Sequence, residues 1–437
     1  MERQYRDSRV DWIGQIPMNW KTEKFKHVFR IKKILAGKLG YDVLSVTQQG
    51  LKVKNITSNE GQVANDYSNY QLVFPGDFVM NHMDLLTGYV DVSKQEGVTS
   101  PDYRTFYAIH KNDISRQYYL YIFQFCYKTR LFYNLGHGVS NLGRWRLPSE
   151  EQNEFMLPFP PLPEQQMIAK YLDAKCGEID GLITLQEQMI ARLTEYKLSV
   201  ITEIVTKGLN PDVQLVPSGI DWIGDVPKGW ETKRFKDLFR TGKGLSFTKA
   251  DLVKEGIPVI SYGQVHSKDN KGTRINDELI RFVPEEIAKG GESSQVHVGD
   301  FIFADTSEDL DGCGNCVYVD KEIGLYAGYH SVIATSKRKV SNAYLAYLFL
   351  TNCWRSQLRC RVSGIKVFSI SQSIINQSTV ILPPSDEQRA IAEHLDAKCV
   401  EIDRLIETKR QKIETLKEYK KCVIYEAVTG KTDLRDS

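Results

Sequence analysis

The chain has 437 residues, 41% of them hydrophobic, which is long and apolar enough for two or three domains with buried cores and excludes a disordered tether. Lys and Arg number 57 against 55 Asp and Glu, for a formal charge of +2, so a nucleic-acid surface would need basic residues gathered locally. No run approaches eighteen uninterrupted apolar residues and the opening MERQYRDSRVDW is charged, so neither a membrane span nor a signal peptide is expected and the chain is placed in the cytoplasm; eight scattered cysteines do not make a disulfide framework.

The first recognisable stretch is a leading segment, Asp11 to Arg30, DWIGQIPMNWKTEKFKHVFR. It returns at Asp221 to Arg240 as DWIGDVPKGWETKRFKDLFR, with eleven of twenty positions identical at an offset of 210, where chance gives about one. Trp12/Trp222 and Trp20/Trp230 repeat with the rest and are read as structural anchors, because they stay constant where recognition would vary.

A variable region follows, about residues 31 to 157, with its counterpart at about 241 to 380. Short apolar runs broken by Gly, Asp and Asn, such as YQLVFPGDFVMNH and VGDFIFAD, predict strands and turns, and ISRQYYLYIFQFCYKTRLF and NAYLAYLFLTNCWRSQL predict helices. Two α+β domains result. PGDFV at Pro75 and VGDFI at Val298 match at an offset of 223, so the second copy carries thirteen extra residues ahead of Gly299.

After PPLPEQ and PPSDEQ come two long helical stretches, Glu164 to Thr206 and Glu387 to Thr429, identical at 25 of 43 positions. Their heptad seams run through Leu172, Ile179, Ile183, Ile190 and Leu193 and through Leu395, Ile402, Ile406, Ile413 and Leu416, each with a polar step, Gln186 or Lys409, that can set register. A continuous helix of this length would run roughly 64 Å at about 1.5 Å per residue. Two of them packed antiparallel would hold two domains a turn or more of duplex apart, a turn being about 34 Å. Packing or oligomerisation is the plainer use of such helices, and the duplicated arrangement argues against it here.

Catalytic signals fail one by one. GKT at Gly430 to Thr432 lacks the earlier Gly of a phosphate loop, since that position is Tyr425. Pro211, Asp212, Glu231 and Lys233 follow the order of a magnesium-dependent nuclease motif, but the repeat mate of Glu231 is Lys21. Cys313 and Cys316 form one CxxC, with Cys353 and Cys360 as its sole plausible completion, so no metal site is expected. Neither the paired-proline motif of amino-methyltransferases nor a GxGxxG loop is present. No catalytic residue and no cofactor of its own are expected.

The tandem order, DWIG.(I/V)P..W with FK..FR, and PPLPEQ or PPSDEQ followed by IA..LD together resemble the specificity subunits of type I restriction and modification systems over nearly the whole chain. The resemblance implies an α+β fold in which two α/β target-recognition domains are separated by two long antiparallel coiled-coil helices in a pseudo-two-fold internal repeat. Its divisions would be a leading segment with the first recognition domain (1–157), a central helical region (158–210), the repeated leading segment with the second recognition domain (211–380), and a C-terminal helical region (381–437). It implies double-stranded DNA as ligand, each domain reading half of a split target. The helices would set the gap and dock two modification subunits, with restriction or motor subunits joining through the complex. S-adenosylmethionine, ATP and Mg²⁺ would belong to those partners. The family's chain closes a circle, which here would bring Asp11 to Arg30 beside the end of the second helix near Thr429. Two other readings stand beside this one: a specificity chain of a related restriction architecture, and a coiled-coil interaction protein without DNA function.

Base reading needs Arg, Lys, Asn, Gln, Ser or Thr on loops that face a groove. In the first domain the candidates are Gln48, Gln49, Lys52, Asn81, His82, Asn141, Arg144 and Arg146. In the second they are Tyr262, Gln264, His266, Lys268, Ser307 and Lys366.

Overall fold

The leading segment shows why its motif repeats. In the computed structural model, which describes residues 3–55, 66–138, 145–364 and 366–435, the strand Lys21–Lys24 pairs antiparallel with Met156–Phe159, and Glu231–Arg234 pairs in the same way with Thr379–Leu382. Each leading segment is thereby tied to the strand that runs into a long helix. DWIG forms a turn that ends on a left-handed glycine, Gly14 or Gly224. Trp20 is fully buried and Trp230 half-buried.

The chain divides into two compact units. One comprises 1–187 with 411–437, and the other comprises 188–410. In the first unit a four-stranded antiparallel sheet runs Phe29–Lys32, Arg104–Ala108, Phe78–Met80, Val90–Val92. In the second the same order recurs as Phe239–Lys243, Ser331–Ser336, Phe301–Ala304, Cys316–Tyr318. The two variable regions therefore share a topology that their sequences hide. Each sheet buries aromatic rings against a helix: Phe29, Phe78 and Phe106 with Phe123 of Arg116–Lys128, and Phe239, Phe301 and Phe303 with Phe349 of Asn342–Leu350. Rings meeting edge to face at about 5 to 6 Å gain both area and quadrupole complementarity. Each domain adds a second sheet, four-stranded around Val43–Thr47 and three-stranded around Ile257–Ile260.

The PGDF motif is a turn before a core strand. Gly76 (φ 89°) and Gly299 (φ 100°) take the left-handed region, and the Asp that follows accepts a backbone N–H three residues back, from Phe74 at 2.6 Å and from His297 at 3.0 Å. Asp77 also pairs with buried Lys32. The mate of Lys32 in sheet register is Gly242, and burial without a lysine pushes the Asp300 carboxyl up.

The long helices are Leu162–Lys207 and Ser385–Val428. Both compact units take a part of each, and within each unit the two parts run antiparallel, with Lys420 2.6 Å from Asp180 in one and Lys197 2.7 Å from Asp403 in the other. Leu172, Ile179, Leu395, Ile402, Ile406 and Ile413 are buried, while Ile183, Ile190, Leu193 and Leu416 are half-buried. Gln186 is buried with its carbonyl oxygen unpartnered among the described residues, and Lys409 is half-buried. No helix among the described residues is long and apolar enough to cross a membrane.

Candidate nucleic-acid interface

What places each domain is its junction with the long helices, which is built from matched residues. Trp20 Nε1 donates to Glu164 at 2.8 Å, and Trp230 Nε1 donates to Glu387 at 3.1 Å. The Gln165 and Gln388 carboxamides each accept a backbone N–H at 2.8 Å, from Ser115 and Ser341, the residues that cap the domain helices. From those helices Tyr118 donates its hydroxyl to Val428 O at 2.8 Å, and Tyr344 places its hydroxyl 3.0 Å from Val205 O. Burial holds both phenols well above their ordinary pKa, so they remain donors. Tyr121 and Tyr347 donate to Asp173 and Asp396 at 2.8 and 2.6 Å. Sequence reasoning missed these tyrosines. Their signal was present as Ser-x-x-Tyr-x-x-Tyr at an offset of 226, a spacing that the comparison at 223 does not see.

The leading segment also meets the second long helix. Tyr425 donates to Ile13 O at 3.3 Å and Lys431 Nζ to the same oxygen at 2.7 Å, which brings Asp11 to Arg30 to the C-terminal end of that helix within one compact unit.

Among the first-domain candidates, Gln48 and Gln49 form the exposed turn between Val43–Thr47 and Gly50–Val53, and Lys52 bonds back to Gln49. This turn rims a cleft of about 470 Å³ shared with the helices, where Asp91, Asp173 and Asp180 outnumber Lys128 and Lys420. Such a balance does not favour phosphates. Asn81 and His82 follow the strand Phe78–Met80 and are half-buried. The Asn81 carbonyl accepts from Tyr127 at 2.7 Å. His82 Nδ1 is buried without a partner among the described residues, and burial, with Arg104 and Arg146 beside it, pushes the imidazole down to about 3. It is therefore neutral at any physiological pH. Arg146 is exposed and its backbone bridges to His137. Asn141 and Arg144 lie outside the described residues.

In the second domain Tyr262 starts a short helix whose cap is Ser261, and Gln264 accepts the Ser261 N–H at 3.1 Å. His266 has both ring nitrogens occupied, by Thr306 O at 2.8 Å and by the Asn315 carboxamide at 3.1 Å. Ser307 is buried and donates to Asp309 O at 2.7 Å. Lys268 and Lys366 are exposed. The second domain also has a groove of about 730 Å³, bounded by 243–247, 305–306, 329–332 and 369–373, which neither lysine lines. Its lining includes Lys243, Asp305, Tyr329 and His330, and His330 takes the left-handed conformation, which the sequence did not single out.

No group of three or more His, Cys, Asp or Glu among the described residues is placed to hold a metal ion. Cys313 and Cys316 are buried thiols that burial pushes up in pKa. The arrangement offers hydrogen-bonding loops on rigid sheets, suited to reading a surface.

The family profile described as the type I restriction modification DNA specificity domain matches residues 17–195 and 227–418. The chain is 26% identical over 284 residues to the type I restriction enzyme MjaVIII specificity subunit of Methanocaldococcus jannaschii, a match that spans 64% of this chain and 63% of that subunit. With the MjaX protein of the same organism, provisionally named a type I restriction enzyme specificity subunit, identity is 24%, over 96% of this chain and 95% of that one. In fold it resembles a solved chain described under complex assembly and conformational transition of the type I R-M system, with a TM-score of 0.69 at 12% identity over 95% of this chain and 99% of that one. It also resembles the HsdS subunit from Thermoanaerobacter tengcongensis, with a TM-score of 0.50 at 13% identity over 95% and 98%.

Proposed function

Since the chain belongs to the family of type I restriction modification DNA specificity domains, we propose that it is the DNA-reading subunit of a cytoplasmic type I restriction and modification enzyme and performs no chemistry itself. The observation that carries this reading is the double match. The family profile covers both halves of the chain, and both halves fold a sheet of the same strand order on the same helix junction. Each domain would read one half of a split duplex target, with contacts to bases specifying and contacts to phosphates positioning. Among the candidates, Gln48, Gln49, Lys52, Lys268 and Lys366 are exposed, whereas His266 and Ser307 spend their polar atoms inside the domain.

The long helices would fix the gap between half-sites and dock two modification subunits. Exposed apolar residues support that role, since Leu182, Leu185, Met189 and Tyr196 on the first helix and Val400, Leu405 and Tyr419 on the second are left uncovered among the described residues. The modification subunits would methylate adenine with S-adenosylmethionine, and added motor subunits would cleave unmodified DNA with ATP and Mg²⁺.

Direct sequencing of adenine methylation in the host genome, with and without this gene, tests the reading. A split motif that loses its methyl marks in the deletion strain is the expected result and supplies the target. If purified complexes with the modification subunit also methylate no split site, the reading is overturned.

A further inference from the structure

The two domains place equivalent backbone around different polar side chains. His82 and Asp305 each follow the third strand of the matched sheets, and their carbonyls accept the N–H of matched residues, Leu147 at 2.9 Å and Ile370 at 2.7 Å. Asp102 and His330 precede the second strand at the same step, as the registers Phe29 to Ala108 and Phe239 to Ser336 require. Beneath them the core remains aromatic, with Phe29 and Phe78 answering to Phe239 and Phe301. Side chains are thus exchanged at the rim while the scaffold holds, which two half-sites of different sequence demand.

His330 stands out at this rim. It is a non-glycine residue at φ 53°, in the left-handed region that histidine is among the few side chains to tolerate. Its backbone is pinned there, since Asp305 N donates to His330 O at 3.1 Å and Tyr262 N donates to Tyr329 O at 3.3 Å. The ring is pinned as well. Its Nδ1 lies 3.2 Å from Asp305 Oδ1, and Tyr262 and Tyr329 meet it edge to face at 5.5 and 6.0 Å. The side chain is nevertheless 58% exposed. A neutral imidazole that donates Nδ1–H to a carboxylate keeps Nε2 as an acceptor. Beside it opens the groove of about 730 Å³, which Lys243 also lines.

Taking duplex DNA as the ligand, which rests on the reading above, we propose that His330 is a base-contacting residue of the second domain. Asp305 acts as its positioning residue, and Lys243 holds the neighbouring phosphate. Nε2 as acceptor suits the exocyclic amino group of adenine or cytosine in the major groove. The second half-site then requires one of these bases at the position beneath His330.

The test uses the full complex with its modification subunits on a library of split targets randomised at every position. His330→Gly removes the ring and relaxes the turn, so its fold is not at risk, and Asp305→Ala frees the ring. In the wild type a preference for adenine or cytosine is expected at one position of the second half. His330→Gly should relax it by about ten- to a hundredfold, Asp305→Ala by less, and the first half and the melting temperature should be unchanged. Wild-type selectivity in both variants overturns the proposal, as does an equal loss over both halves with a lowered melting temperature. A wild-type complex that selects no split target overturns the DNA reading itself, and this inference with it.

Discussion

Trp12 and Trp222 occupy the same step of the repeated segment but differ in burial because of a single neighbour. Trp12 stacks on Phe155 at 5.5 Å and donates Nε1 to Met156 O at 3.2 Å. The mate of Phe155 is Ser378, as the bonds from Phe25 N and Phe235 N to these two residues establish, and Trp222 is 53% exposed. The anchor role expected of all four tryptophans therefore fails for Trp222, which stacks on no ring among the described residues. Trp12→Ala should cost about 2 to 3 kcal/mol in denaturant unfolding and Trp222→Ala no more than about 0.5 kcal/mol; equal losses would contradict this account. His82 makes a second prediction. Its folded pKa of about 3 lies below the ordinary 6.5, so the unfolded chain takes up a proton that the fold refuses. The resulting stability is complete above pH 6.5 and is lost as pH falls toward 3. His82→Asn should lose less melting temperature than the wild type between pH 7.5 and pH 5.

At the scale of elements, the long helices end where a glycine meets a leading-segment tryptophan. Gly208 (φ 76°) would bring a Cβ to 2.7 Å from the Glu387 carboxylate and 3.3 Å from the Trp230 ring, and Gly430 (φ 74°) would bring one to 2.6 Å from Pro17 and 2.8 Å from Trp20. Conformation and space both require glycine, so alanine at either site should cost about 1 to 3 kcal/mol. Gly181 lies inside the first helix, is exposed, and has open space where a Cβ would stand. Gly181→Ala should raise stability by about 0.5 to 1 kcal/mol. Thermal melts of the three variants separate glycine that terminates a helix from glycine that merely sits in one.

For the whole molecule, duplication separates what must stay constant from what must vary. The strand pairing of the leading segments, the Trp–Glu and Ser–Gln bonds and the buried tyrosines recur, whereas the rims differ. Exchange of residues 31–157 or 241–380 for the corresponding region of a relative should alter one half of the target and leave the other, read by methylation sequencing. Both halves changing together would mean that the domains do not read independently.

The repeat and the long helices were legible in the sequence because they are local and periodic, and 25 identities in 43 need no contact information. The absence of a phosphate-loop pattern was equally a matter of spacing. The shared topology of the variable regions was decided by tertiary structure, since strands distant in sequence pair through backbone groups that any side chain permits, as in Phe29–Lys32 with Arg104–Ala108 and Phe239–Lys243 with Ser331–Ser336. Tertiary structure also decided the direction of each polar side chain. Ser307 closes on Asp309 O within its own loop, and His330 is held by Asp305 from the end of another strand, and sequence spacing does not record which of two chemically equal groups finds its partner inside the fold.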